Sequence, residues 1–191
     1  MINIFVEGIG DEKFLKDYLS FLGISNDFKV IVVNGKDKLL QYINLFKKNT
    51  DLNGLNLVVF DSDDDFNDRK NFLLNFKERN KLEFQLFLFP NNKDNGDLEV
   101  VLENIIPNGN DEVMNCWTKY ENCINKLNRN LTIPANKTKI YAYLEVLLGS
   151  TQEEKRKIKE KNRNYLNKKH WNLESEYLLN FKEFLLDSLK N

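Results

Sequence analysis

The chain is poor in the residues that staple a fold or carry soft-metal and nucleophilic chemistry. Cysteine occurs twice, at Cys116 and Cys123, which excludes a disulfide framework; the spacing suits neither a CxxC redox pair nor a zinc pair. Both are expected to be small buried hydrophobes. The single histidine, His170, excludes a His-rich metal site. No G-x-S-x-G elbow presents a serine to it, so beside Trp171 it reads as a packing or hydrogen-bonding residue. The P-loop pattern G-x-x-x-x-G-K-[ST] is absent, and "EGIGD" lacks the third glycine of a dinucleotide fingerprint. Net charge is nearly absent too: 28 Lys+Arg against 29 Asp+Glu leave -1, so overall charge does not advertise nucleic acid. The opening "MINIFVEGIGDEK" has no basic leader and its apolar run breaks at Glu7, too short for a signal peptide or spanning helix. A cytoplasmic protein with no membrane contact is the expectation.

What is present is enough apolar residue, 41% of 191, for one large domain or a core with an extension. Four short continuous runs, "INIFV" (2–6), "FKVIVV" (28–33), "LNLVVF" (55–60) and "EFQLFLF" (83–89), predict strands buried on both faces. Helical stripes separate them: Phe14, Leu15, Tyr18, Leu19 and Leu22; then Leu39, Leu40, Ile43 and Phe46; then Phe72, Leu73 and Phe76. Strict alternation predicts an α/β fold with right-handed crossovers and a Rossmann-like parallel sheet of about four strands flanked by helices. A short helix follows at 98–105, and "PNGND" (107–111) marks a boundary. The domain expectation is a core at 1–106 and an α-helical C-terminal extension at 107–191 packing on or beside it. Its stripes lie at Leu144, Leu147 and Leu148, and at Leu173, Tyr177, Leu178, Phe181, Phe184 and Leu185.

Acids collect where such strands end. Glu7 closes the first and Asp11 opens the next helix; "DSDDD" closes the third with Asp61, Asp63, Asp64 and Asp65; Asp94, Asp97, Glu99 and Glu103 follow the fourth. Open parallel sheets bind ligands beyond these carboxyl ends. Carboxylates about 4 Å apart repel by roughly 1 kcal/mol even in water, so such a set needs an offset. Oxygen donors without His or Cys select a hard cation, Mg2+ or Mn2+, and two such ions could polarise a phosphodiester and activate a water. Simpler roles stand beside this one. Asp11 caps a helix or binds metal, Asp64 and Asp65 cap the following helix or ligate, and Glu103 faces solvent or metal.

"VEGIGD" after a first strand and "DSD" after a third resemble the Toprim domain shared by topoisomerases, bacterial primases and OLD-family nucleases. "FPNNKDNGDLEVVLENI", "KTKIYAYL" and "HWNLESE" look like a small bacterial family of unknown function built on a Toprim-like core. The resemblance implies that Glu7, Asp61 and Asp63 bind the metal ion. The nuclease branch adds the acid at Asp11, a later acid placed at Glu99, and a lysine placed at Lys137 or Lys139; Asp65 joins the ligand candidates. Departures narrow the reading: no domain with a nucleophilic tyrosine, no zinc module and no ATPase accompany the core. The resemblance therefore implies a stand-alone Mg2+- or Mn2+-dependent nuclease, or a non-catalytic module binding nucleic acid, nucleotide or a protein partner.

Two other families fit less well. "VVFDSDDDF" resembles the DxD motif of haloacid-dehalogenase-like phosphatases, but follows two βα units instead of ending the first strand. A receiver domain would want an acidic pair closing that strand, where "EG" stands. In the tail, residues 153–170 hold eight Lys/Arg against three Glu, a local charge of +5. Lys155, Arg156, Lys159 and Arg163 on a cationic helix are candidate contacts to a nucleic-acid backbone, or the face of a solvated helix. The partner expectation is nucleic acid, with a homodimer left open.

Overall fold

The computed structural model describes residues 1–24, 28–127 and 129–189. Four parallel strands, β1 (Ile2–Val6), β2 (Phe28–Val32), β3 (Leu55–Asp61) and β4 (Gln85–Phe89), form one sheet in the order β2-β1-β3-β4. Register pairs Val6 with Val32 on one side and Val59 on the other, while Asp61 sits beside Phe89. Period-2 alternation splits β1, β3 and β4 between two cores. Ile4, Val6, Leu57, Val59, Phe87 and Phe89 enter one core, while Phe5, Val58, Phe60 and Leu88 enter the other. A strand apolar in both directions is a continuous run in sequence, which is why these segments show no alternation of apolar and polar residues.

Helices α1 (Ile9–Phe21) and α4 (Leu98–Asn104) cover the first face. The second is covered by a 3-10 turn over Lys36–Tyr42 leading into α2 (Ile43–Asp51), and by α3 (Phe66–Asn80). On α3 the buried face is Arg69, Leu73 and Phe76; Phe72, expected in that stripe, is 41% exposed with the Lys36 ammonium 5.8 Å from its ring centroid. One residue back from Leu73 is about 100° around the helix, enough to leave the core.

The later helices are α5 (Asp111–Lys126), α6 (Asn136–Leu148), α7 (Gln152–Ile158) and α8 (Leu179–Leu189). Ile140, Tyr143, Leu144, Ile158, Tyr165, Trp171, Phe181 and Leu185 join the first-face core directly. Phe181 packs with ring centroids 4.8 Å from Phe87 and 5.1 Å from Phe89. Leu173, read as part of the last helical stripe, precedes α8 and is buried from a loop. Helix α5 buries none of its residues, and Cys116 and Cys123, two turns apart on it, are both exposed, not buried as the sequence suggests. No helix among the described residues is long and apolar enough to cross a membrane.

The basic segment is not one helix. Thr151 and Glu154 cap α7 reciprocally: Thr151 Oγ1 accepts from the Glu154 N–H at 3.2 Å and Glu154 Oε2 accepts from the Thr151 N–H at 3.1 Å. The helix stops at Ile158 because Lys159 turns extended, at φ -61° and ψ 136°. Asparagines carry the chain onward, Asn164 Oδ1 accepting from the Leu166 N–H and Asn167 Oδ1 from the Lys169 N–H. The Tyr165 N–H then donates to Asp17 Oδ2 at 2.9 Å, tying this turn across α1.

Candidate metal cleft

The sheet changes direction between β1 and β3, because β2 lies outside β1 on one side and β3 on the other. The crevice above such a switch point is where open parallel sheets take ligands. Here it is a cleft of about 280 Å³ lined by Glu7, Gly8, Asp11, Asp61, Glu99, Lys137 and Glu160, among others. Glu7 follows β1, Asp61 ends β3, Asp11 sits in the first turn of α1 and Glu99 in that of α4. Asp11 Oδ2 accepts from the Gly8 N–H at 2.7 Å, the return half of a capping box whose other half glycine cannot supply. Asp61 Oδ1 accepts from the Leu98 N–H at 3.0 Å, joining the end of β3 to the start of α4.

These acids disfavour one another's ionisation. Burial, together with the neighbouring Asp11, Glu7, Asp97 and Glu99, pushes Asp61 well above the usual carboxylate range. Asp11 is pushed up to about 7, chiefly by burial, with Glu99, Glu7 and Glu160 adding to it and the Gly8 N–H opposing. Burial raises Glu99, reinforced by Asp97, and raises Glu7 against the opposing charge of Arg69. Such mutual perturbation in a cleft marks a functional-site candidate.

Arg69 is the residue that sequence reasoning missed. Its guanidinium, 5% exposed, donates from Nη1 to Glu7 Oε1 at 2.9 Å and from Nη2 to Asp63 Oδ2. Asp63 itself lies off the cleft wall, at φ 52°, in a bridge with Gly96. The nearest offset to the Glu7 and Asp63 charges is thus an arginine of the same chain. A cation at 69 in a spacing of core positions with Leu73 and Phe76 was the available signal. Glu160 was missed as well, a lone acid in a basic run, brought to Gly10 by the turn that Asp17 holds.

The remaining candidates scatter. Asp65 caps α3, accepting from the Asp68 N–H at 3.0 Å, and Asp97 caps α4 in the same way. Asp94 accepts from Asn91 Nδ2 at 2.8 Å. Lys137 lies on the cleft, paired with Glu160. Lys139 points elsewhere, with its Nζ 2.5 Å from Glu103 Oε1, which places Glu103 outside the cleft too. Arg163, expected among surface contacts, is 1% exposed; Lys155, Arg156 and Lys159 are exposed. His170 Nδ1 stands 3.2 Å from Asn167 Nδ2, and its carbonyl accepts from Tyr143 Oη at 2.9 Å. As placed, no three Asp, Glu, His or Cys side chains among the described residues are grouped to hold an ion. The donor set, all carboxylate and with raised proton affinities, fits a hard divalent cation by its chemistry.

Fold and cleft define an α/β protein with a carboxylate-lined crevice at the switch point of a parallel sheet. The chain belongs to the family described as protein of unknown function (DUF3226), whose model matches residues 2–190. No curated protein and no solved structure matches it.

Proposed function

We propose that this chain is a Toprim-type, Mg2+- or Mn2+-dependent phosphodiesterase that hydrolyses nucleic acid in the cytoplasm. One observation carries the reading: Glu7, Asp11, Asp61 and Glu99 line a single cleft, and each is held toward its protonated form. A cation would offset that cost. Asp61, Asp11 and Glu99 would hold it, with Glu7 and Asp63 contributing once released from Arg69. A divalent ion there would supply Lewis-acid polarisation of the phosphodiester and a lowered pKa for a bound water. Lys137, at the same cleft, would meet charge developing on the phosphate oxygens. The exposed Lys155, Arg156 and Lys159 would contact the backbone of the nucleic acid, independently of base sequence.

A second reading, a non-catalytic Toprim-like module binding nucleic acid, nucleotide or protein, draws on a different observation: Arg69 already neutralises two of the three acids that the resemblance singles out. Cleavage of single- and double-stranded DNA and RNA, with Mg2+ or Mn2+ against a chelator, separates the two. The nuclease reading expects metal-dependent cleavage that disappears in Asp61→Asn while circular dichroism stays native. A metal-dependent thermal shift without turnover on any of these substrates decides for the binding module. Cleavage that survives Asp61→Asn defeats the assignment of the site.

A further inference from the structure

Phe72 and Leu40 are left 41% and 61% exposed, and both line one groove of about 440 Å³. One wall is the 3-10 turn, which supplies Lys36, Asp37 and Leu40; the other is α3, which supplies Phe72, Phe76 and Arg79. The Lys36 ammonium, 5.8 Å from the Phe72 ring centroid, is close to the outer limit of about 6 Å for a cation–π contact, so it holds the ring weakly. Neither Lys36 nor Arg79 has a salt-bridge partner among the described residues. Asp37 is the one acid among the described residues of the lining, which leaves the groove with a net positive charge.

This groove adjoins the acidic cleft at two points. Gly35 lines the cleft and the next residue, Lys36, lines the groove, and the charge of Lys36 reaches Glu7, favouring its ionised form. On α3, Phe72 follows by three positions the Arg69 that donates to Glu7, a spacing that puts the two Cβ atoms about 5–6 Å apart on neighbouring faces. From Phe72 the wall continues for two turns, about 10 Å, to Arg79. An accessible ring therefore stands beside the cleft, with one cation next to it and another further along.

We propose that the groove takes an unpaired base of single-stranded nucleic acid against Phe72, with neighbouring phosphates meeting Lys36 and Arg79. The inference rests on the nucleic-acid part of the reading above and makes the ligand of the adjoining cleft a single strand. An apolar peptide would cover Phe72 and Leu40 but leave both cations unmet. A duplex would bring phosphates to the cations but keep its bases stacked on one another, away from the ring. A single strand satisfies both, because every unpaired base has a face to stack and its backbone carries the charge.

The test is fluorescence anisotropy with a labelled single-stranded oligonucleotide and with the same strand in a duplex. It is run in chelator and again in Asp61→Asn with Mg2+, two conditions in which the nuclease reading expects no cleavage. The single strand should bind at least about tenfold more tightly than the duplex. Phe72→Ala should weaken single-strand binding about tenfold and leave duplex binding unchanged, while Phe72→Trp, which keeps a stacking surface, should bind as the parent does. A strand with abasic sites in place of its bases should bind parent and Phe72→Ala alike. Arg79→Ala should lower the slope of log affinity against log salt by about 0.7, the value of one single-strand phosphate contact. Equal binding of single strand and duplex, parent-like binding of the single strand by Phe72→Ala, or an equal loss on the abasic strand would each overturn the proposal. With binding or Asp61-dependent cleavage otherwise intact, those results leave the nucleic-acid reading standing. Binding of neither form by the parent overturns the proposal and that reading together.

Discussion

Arg69 donates to Glu7 at 2.9 Å across a separation of 62 residues, pinning the helix after β3 to the turn after β1. The same guanidinium holds Asp63, so one buried cation organises the rim on which the acids meet.

Replacing this cation by an isosteric apolar side chain, Arg69→Met, leaves Glu7 uncompensated beside Asp63. Without metal, the variant should lose about 2–3 kcal/mol in urea denaturation, below the full value for a buried pair because Asp63 is half exposed. If the proposed metal site is correct, Mg2+ or Mn2+ should then raise its melting temperature by more than it raises the parent's, since a cation held there would compete with the arginine for the same carboxylates. Equal shifts in the two proteins would show that they do not compete.

Asp11 and Asp61 are raised above the value of about 4 that such groups have in an unfolded chain. Between that value and about 7, the native state binds more protons than the unfolded one. Stability present at low pH is therefore lost as pH rises through the native titrations. In chelator the melting temperature should fall between about pH 5 and about pH 8. Asp11→Asn, which retains an acceptor for the Gly8 N–H, should flatten the fall. Divalent metal should restore stability mainly at the alkaline end, where the carboxylates are ionised. A melting temperature that is level or rising over this range in chelator contradicts the assigned proton affinities.

Lys137 and Lys139 differ by two positions on α6 and face different partners. Lys137→Ala should change stability by about 1 kcal/mol, because the lysine end of its pair with Glu160 is exposed to solvent although Glu160 is not. The same change should slow metal-dependent cleavage at least about tenfold. Lys139→Ala should leave cleavage near the parent rate while destabilising the α4–α6 contact through Glu103. The reverse ranking would move the cationic role to the other lysine.

Much of this was legible in the chain and some was not. The four strands announce themselves because burial on both faces makes them unbroken apolar runs. Glu7 and Asp61 are legible because an acid at the end of such a run has few structural roles. Arg69 was hidden: a single arginine in a helix normally reads as solvent-facing, and here it replaces a core residue. Glu160 and Arg163 were misjudged because the run from 153 to 170 looks uniformly helical and basic. Its asparagines and the Asp17–Tyr165 tether instead fold it into a turn that hides one charge and aims another at the cleft. Contacts between residues so far apart leave no local pattern.

Phe181 tests how far the later helices belong to the sheet's own interior. Its ring meets Tyr18, Phe87 and Phe89 with centroid separations of 5.6, 4.8 and 5.1 Å. Phe181→Ala should cost about 3–5 kcal/mol by loss of burial and the cavity left behind. Unfolding followed by far-ultraviolet dichroism and by tryptophan fluorescence should remain a single coincident transition. Two separated transitions would show that the α8 region melts independently of the sheet.

The hydrogen bond from Tyr165 to Asp17 also bears on the order of events during synthesis. Residue 17 leaves the ribosome long before residue 165, and the turn carrying Glu160 cannot dock on α1 until both are present. Glu7, Asp11, Asp61 and Glu99 all precede Lys137 and Glu160 in the chain, so the wall that those two supply is made last. The crevice is therefore complete only once α6 and the turn at Glu160 have been made and that turn has docked on α1.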